Sequence, residues 1–355
     1  MSSNETGPPL NLVLHIGLHK SGTSTIQERL FAGRDNYLGR SGDNRCLSGS
    51  LREVHDLQRV VGVRRRTRGT DTSGREWARR VRDLHAASGI KRDTLILSDE
   101  GLSRTGLLAD GGFPFVGWPF SRRSARFDRD APVLSFLERF ARDVWQPGAV
   151  RVLLTVRSQP AYLASQYAQL SNWIPRASQA DFERQVRALI DSGDGYIDWS
   201  AWVERLWSAV GPENTCVLPL EAMDSAEYWR TLLAFTGLEA DVQGERMTDP
   251  ATARNRRSEA ASTWRLRPLR NIAAEVVRTR QVLEPWPAAR RTLRGGLRLA
   301  APLLDGPLSR ALGRGRGTTI NLSPELDAEI RAYCRPFNQR LAAQIDRDLG
   351  ALGYL

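Results

Sequence analysis

A glycine-rich stretch near the start of the chain, IGLHKSGTST at residues 16–25, contains residue types that proteins use to bind anions. It follows a short apolar run, and its second glycine precedes hydroxyl-bearing residues that could begin a helix. A strand, a glycine-rich turn and the first amides of a helix together form the general phosphate-binding device. The stretch therefore predicts a phosphate-binding loop.

The lysine of this loop is displaced from its position in nucleotide-binding loops. The pattern GxxxxGK[ST] places a lysine directly after the second glycine, where it reaches the β and γ phosphates. Here Gly17 and Gly22 keep the glycine spacing, Thr23 occupies the lysine position, and Lys20 lies inside the loop. The groups available to a phosphate are the amides of Gly22, Thr23 and Ser24 and the hydroxyls of Ser21, Thr23 and Thr25. Such a loop is poorly suited to a triphosphate with magnesium.

Four short continuous apolar runs predict β-strands that are covered on both faces. They lie at residues 11–16, 93–98, 150–156 and 215–220. Helical patterns occur among and after them, at residues 24–34, 161–173, 198–211 and 226–238. This alternation predicts an α/β fold in which a mostly parallel central sheet is flanked by helices. Ligands of such sheets bind beyond the carboxyl ends of the strands.

With its lysine inside the loop, the stretch HIGLHKSGTSTIQ at residues 15–27 resembles the 5′-phosphosulfate loop of sulfotransferases that use 3′-phosphoadenosine 5′-phosphosulfate (PAPS). The resemblance implies that Lys20 contacts the oxygen that bridges phosphorus and sulfur, and His19 beside it could shape the loop. This role is physically reasonable, because negative charge grows on that oxygen as the sulfuryl group departs. A compact ammonium group can stabilise that charge.

A second part of the chain resembles the 3′-phosphate site of the same family, which uses an arginine at a strand end and a serine eight residues later. Arg157 follows the third predicted strand, and Ser165 follows at that spacing on the next predicted helix. The later stretch ATARNRRSEA resembles a basic loop that covers the nucleotide, which makes Arg254 and Asn255 further candidates. The resemblance spans residues 11–258 and the last predicted helix.

Transfer of a sulfuryl group to an alcohol requires a base that accepts the hydroxyl proton. Asp99 and Glu100 follow the second predicted strand, where active-site groups of this architecture collect. Glu100 is the first candidate, because carbohydrate sulfotransferases of the family use an acidic residue at a similar strand end. Two alternatives remain open: His55 could be the base, and Glu100 could instead be a carboxylate stabilised at a helix start.

The basic charge of the chain is concentrated in one segment. Residues 254–316 contain 15 arginines and four acidic residues, a surplus of 11 that equals the formal net charge of +11 of the whole chain. The pattern from 259 to 316 predicts a basic helical segment near the C-terminus. It could attract an anionic glycan or contact a membrane that carries a lipid-linked acceptor, or it could be a solvated insertion. No nucleic-acid partner is expected, because the chain has no nucleic-acid-binding motif.

The 355 residues are expected to form a single domain. Its core would span residues 11–258 and be completed by a closing helix at 323–346, with the basic segment at 259–316 between them. No basic, apolar leader and no apolar run of membrane-spanning length is present, so we expect a cytoplasmic protein. The three cysteines have neither disulfide-framework nor zinc-site spacing, and buried thiols are expected.

Together these patterns favour a sulfotransferase that moves the sulfuryl group of PAPS to a hydroxyl of a carbohydrate or glycoconjugate, leaving 3′,5′-adenosine bisphosphate. No metal is expected at such a site, because cations of the protein would hold the nucleotide. A small-molecule kinase is one alternative, for which Asp99 is the only candidate magnesium ligand at a strand end. A non-catalytic protein that binds anionic polymers or membranes through residues 254–316 is the other.

Overall fold

The computed structural model describes residues 11–18, 20–31, 34, 36–39, 93–98, 150–171, 174, 177–193, 195–238, 263–267 and 318–355. The strands in these ranges are β1 (Asn11–His15), β2 (Tyr37–Gly39), β3 (Thr94–Ser98), β4 (Val150–Val156), β5 (Thr215–Pro219), β6 (Thr263–Arg265) and β7 (Thr319–Asn321). The helices are α1 (Thr23–Ile26), which continues as a π-helical turn over Gln27–Phe31, α2 (Gln159–Leu170), α3 (Gln179–Ser192), α4 (Trp199–Val210), α5 (Ala226–Thr236) and α6 (Pro324–Ile345).

Five strands form a parallel sheet in the order β2-β3-β1-β4-β5. Both faces of the sheet are covered: in β1, Leu12 and Leu14 belong to one core and Val13 to the other. The continuous apolar runs of the sequence reflect this double burial. The prediction of an α/β fold with a mostly parallel sheet flanked by helices is confirmed, and each of the four predicted strands is found within one residue of its expected bounds.

The helices divide between the two faces of the sheet. Helices α2, α3, α4 and α6 contribute to the larger core, which includes the buried Trp199 and Trp202. Helix α1, the π-helical turn and α5 cover the other face. Helices α3, α4, α5 and α6 are capped at their N-termini by Ser178, Asp198, Ser225 and Ser323 respectively. Each of these side chains accepts a hydrogen bond from a backbone amide of the first turn. None of the helices within the described ranges is long and apolar enough to cross a lipid bilayer.

The structure differs from the sequence predictions near the basic segment. Residues Thr263–Arg265, which were predicted to be helical, form the strand β6 and pair antiparallel with β7. The helical prediction is wrong there because Trp264 packs into the core between two exposed neighbours, which is the period of a strand with one buried face. Most of the basic segment lies outside the described residues. The predicted closing helix is confirmed as α6, and the expected burial of Cys216 and Cys334 is confirmed.

Candidate functional site

The chain after β1 runs alongside β4 before it turns. Ile16 N donates to Leu153 O at 3.0 Å, and Leu18 N donates to Thr155 O at 3.2 Å. Lys20 and Gly22 then adopt left-handed backbone conformations, with φ values of 70° and 84°. These two residues turn the chain into α1 and leave Lys20 exposed at the carboxyl end of the sheet.

Both glycines of this loop lie in close packing, and Gly22 also has a left-handed backbone that favours glycine. A Cβ at Gly17 would lie 2.4 Å from Thr155 Oγ1 and 2.7 Å from Thr23 Oγ1. A Cβ at Gly22 would lie 2.5 Å from Leu220 Cδ1, in the turn that follows β5. The loop is therefore held closely between the ends of β4 and β5.

The hydroxyls predicted to face a phosphate differ in their surroundings. Ser21 is fully buried, and its Oγ donates to Leu18 O at 2.5 Å and shares a hydrogen bond with Thr155 Oγ1 at 2.7 Å. Thr23 is 3% exposed, and its Oγ1 makes no hydrogen bond within the described part of the chain. A buried hydroxyl without a partner is unfavourable, so the Thr23 oxygen is suited to a water or a ligand oxygen. Ser24 is exposed and Thr25 is partly exposed.

Arg157 connects the end of β4 to the loop after β1. Its Nη1 donates to Lys20 O at 3.2 Å, and its own carbonyl accepts a hydrogen bond from Trp199 Nε1 at 2.9 Å. Burial lowers the pKa of the Arg157 guanidinium, and the nearby Glu221 carboxylate opposes this shift. The two predicted halves of the site, Lys20 and Arg157, thus lie side by side. Ser165 lies further along α2 and is 7% exposed.

An acidic residue that the sequence analysis did not select lies next to Arg157. Glu221 occupies the single turn Leu220–Ala222 directly after β5. Its Oε1 accepts the Ser158 amide at 2.9 Å, and its Oε2 accepts the Tyr354 hydroxyl at 2.7 Å. Its position just past a strand end was a usable signal, the same one that selected Glu100. Tyr354 carries no comparable signal, because only packing brings the end of the chain to this edge of the sheet.

On the other side of β1, the buried His15 and Ser98 form a hydrogen-bonded group with the partly buried Gln27 beside the end of β3. Ser98, the last residue of β3, accepts a hydrogen bond from Gln27 Nε2 at 2.9 Å and shares one with His15 Nδ1 at 2.8 Å. This group fixes the strand end at which the acidic candidates were predicted. The candidates Glu100, Asp99, His55, His19, Arg254 and Asn255 lie outside the described residues, and their roles stay predictions.

The groups at the ends of β1 and β4 can bind an anion. The first amides of α1 have no acceptor within the helix, and Lys20 and Arg157 add two positive charges. From β1 the chain continues to β2 and then β3 on one side of β1, and from β4 it continues to β5 on the other side. The neighbouring strands β1 and β4 therefore flank the point where the strand order reverses. Open α/β sheets bind their ligands at such a point.

The chain is similar to a solved protein structure. Among solved structures, the chain matches the crystal structure of a sulfotransferase from Alicyclobacillus acidocaldarius with 15% sequence identity and a TM-score of 0.45. The alignment covers 98% of this chain and 99% of that chain. No protein-family model matches the chain, and no curated protein sequence matches it.

Proposed function

We propose that the protein is a sulfotransferase that moves the sulfuryl group of PAPS to a hydroxyl of a carbohydrate or glycoconjugate. One observation carries the proposal: Arg157 Nη1 bonds to Lys20 O at 3.2 Å. The residues that resemble the two phosphate sites of a PAPS enzyme are far apart in sequence, and this contact places them at one edge of the sheet. A nucleotide with phosphates on both its 3′ and 5′ positions needs such a paired arrangement.

The chemistry of the described residues supports a doubly phosphorylated nucleotide. The amides of Gly22, Thr23 and Ser24 and the buried Thr23 hydroxyl would bind the 5′-phosphate. Arg157 would bind the 3′-phosphate with Ser165, and Arg254 and Asn255 would cover the nucleotide. Arginine suits this role because its planar guanidinium offers five donors that match phosphate oxygens.

PAPS, when bound, supplies a sulfuryl group on a phosphate leaving group. Lys20 would stabilise the charge that develops on the bridging oxygen as its bond to sulfur breaks and the acceptor oxygen forms the new bond. Glu100 would accept the proton of the acceptor hydroxyl, with His55 as the alternative base. The segment 254–316 would attract an anionic acceptor or the membrane surface that carries it.

Calorimetric titration with 3′,5′-adenosine bisphosphate tests the proposal. We expect saturable binding to the wild-type protein and binding about 100-fold weaker in Arg157→Ala, because charge-assisted hydrogen bonds are lost. Arg151→Ala is the matched control: this arginine is in β4, the strand that Arg157 follows, but lies over the Phe235 ring at 4.4 Å. It should leave binding unchanged.

Two results would contradict the proposal. Saturable binding of magnesium ATP without binding of the bisphosphate would favour a kinase. Retained ligand binding in Arg157→Ala, together with its loss after charge reversal of arginines in 254–316, would favour a non-catalytic protein that binds anionic polymers.

A further inference from the structure

Residues 346–355 follow α6 and fold back against it. Tyr354 in this stretch lies next to the candidate site. Tyr354 is 1% exposed, and its carbonyl accepts a hydrogen bond from Asn338 Nδ2 at 2.7 Å. Asn338 also pairs with Gln159 at the start of α2, through bonds of 2.7 and 3.1 Å. Tyr354 is thus tied to the same strand–helix unit that carries Arg157.

The Tyr354 hydroxyl and the Ser158 amide together engage both oxygens of Glu221, at 2.7 and 2.9 Å. Each bond fixes one oxygen, so the carboxylate is restrained in position and orientation. Tyr354 can remain a donor over a wide pH range, since burial and the nearby Glu221 raise its pKa well above the ordinary value.

Glu221 is close enough to Arg157 for its charge to raise the pKa of the guanidinium against the effect of burial. Opposite charges attract strongly at partly buried sites, so a released carboxylate would turn toward the arginine. A carboxylate paired with Arg157 would occupy the donors that a phosphate needs.

We propose that Tyr354 is a positioning residue: it holds Glu221 away from Arg157 and so keeps the guanidinium available to the 3′-phosphate. This inference rests on the proposed function, because the 3′-phosphate is the ligand assigned to Arg157. Tyr354 acts through Glu221 and touches no ligand itself.

Tyr354→Phe tests the inference with two nucleotides. We expect the dissociation constant for 3′,5′-adenosine bisphosphate to rise about tenfold, the usual effect of one lost hydrogen bond to a charged group. The constant for adenosine 5′-monophosphate, which has no 3′-phosphate, should stay unchanged. In Tyr354→Phe/Glu221→Gln, binding of the bisphosphate should recover, because a neutral amide does not compete for Arg157. Equal weakening of both nucleotides, unchanged binding, or failure of the double variant to recover would overturn the inference.

Tyr167→Phe is the matched control, because the Tyr167 hydroxyl also donates to a carboxylate, Asp181 Oδ2 at 2.6 Å, away from the site. It should change neither dissociation constant.

A ligand-free measurement separates failure of this inference from failure of the proposed function. Hydrogen exchange of the Ser158 amide should accelerate in Tyr354→Phe and stay unchanged in Tyr167→Phe, because Glu221 would leave the amide only in the first variant. If the wild-type protein binds no bisphosphate, the proposed function fails and this exchange rate alone decides. Faster exchange would support the inference that Tyr354 fixes the position of the Glu221 carboxylate, and an unchanged rate would overturn it.

Discussion

Lys20 combines an exposed side chain with a left-handed backbone, at φ 70°. A side chain in this conformation costs about 1 kcal/mol, which glycine would avoid. Such strain concentrates at functional sites, where the geometry of the chain is part of the mechanism. The backbone of Lys20 therefore agrees with the role that its position in the loop predicts.

Replacement of Lys20 should affect the reaction more than binding. In Lys20→Ala we expect the turnover of PAPS to fall about 100-fold or more, because the lysine would act on charge that develops only in the transition state. The dissociation constant for 3′,5′-adenosine bisphosphate should change less than tenfold, and the stability should stay within about 0.5 kcal/mol, as is usual for exposed positions. Release of the bisphosphate from PAPS, calorimetry and thermal unfolding measure the three quantities. A loss confined to binding would contradict the role as a leaving-group stabiliser.

The residues of the site were predictable from sequence only where one local pattern marks them. Lys20 lies in the glycine-rich loop after one apolar run and Arg157 directly follows another, so their local context identified them. Glu221 had the same kind of signal, but its importance depends on Tyr354. That contact joins parts of the chain that are distant in sequence, and no local pattern encodes it.

At the scale of elements, the loop between β1 and α1 is fixed by glycines whose surroundings differ from those of glycines at other helix ends. Gly22 has φ 84° and packs against Leu220 and Met223 of the turn after β5. Gly193, which ends α3, has φ 59° and no atom within 4 Å of an added Cβ. The two positions share the backbone requirement and differ in packing.

This contrast gives a stability prediction. Gly193→Ala should lower the free energy of unfolding by about 1 kcal/mol, the cost of the left-handed conformation alone. Gly22→Ala should lower it by about 2 to 4 kcal/mol, because overpacking adds to that cost. Urea denaturation of both variants measures the difference. Equal losses of unfolding free energy in the two variants would contradict the prediction, because the turn after β5 would then accommodate the added methyl group without cost.

Elements with a strong local pattern were predictable, and short ones were not. The runs at β1, β3, β4 and β5 are continuously apolar because both faces of the sheet are covered. Helix α3 was not predicted, although Phe182, Val186 and Leu189 have helical spacing behind the Ser178 cap. Strands β2 and β6 are each only three residues long, and tertiary pairing decides their structure.

At the scale of the molecule, the strand order places the candidate groups together. The carboxyl ends of β1, β4 and β5 present the loop with Lys20, then Arg157, then Glu221 along one edge of the sheet. Residues 346–355 contact this edge of the sheet through Tyr354, whose hydroxyl donates to Glu221. The chain after these strands thus supplies the charged groups, and one of them, the Glu221 carboxylate, is bonded to the last part of the chain.

The crystal structure of the complex with 3′,5′-adenosine bisphosphate tests the central claim most directly. We predict that the 5′-phosphate lies on the amides of residues 22–24 with the Lys20 ammonium beside it, and that the 3′-phosphate bonds to Arg157. A nucleotide bound in the reverse sense, or with neither phosphate at the ends of β1 and β4, would contradict the claim.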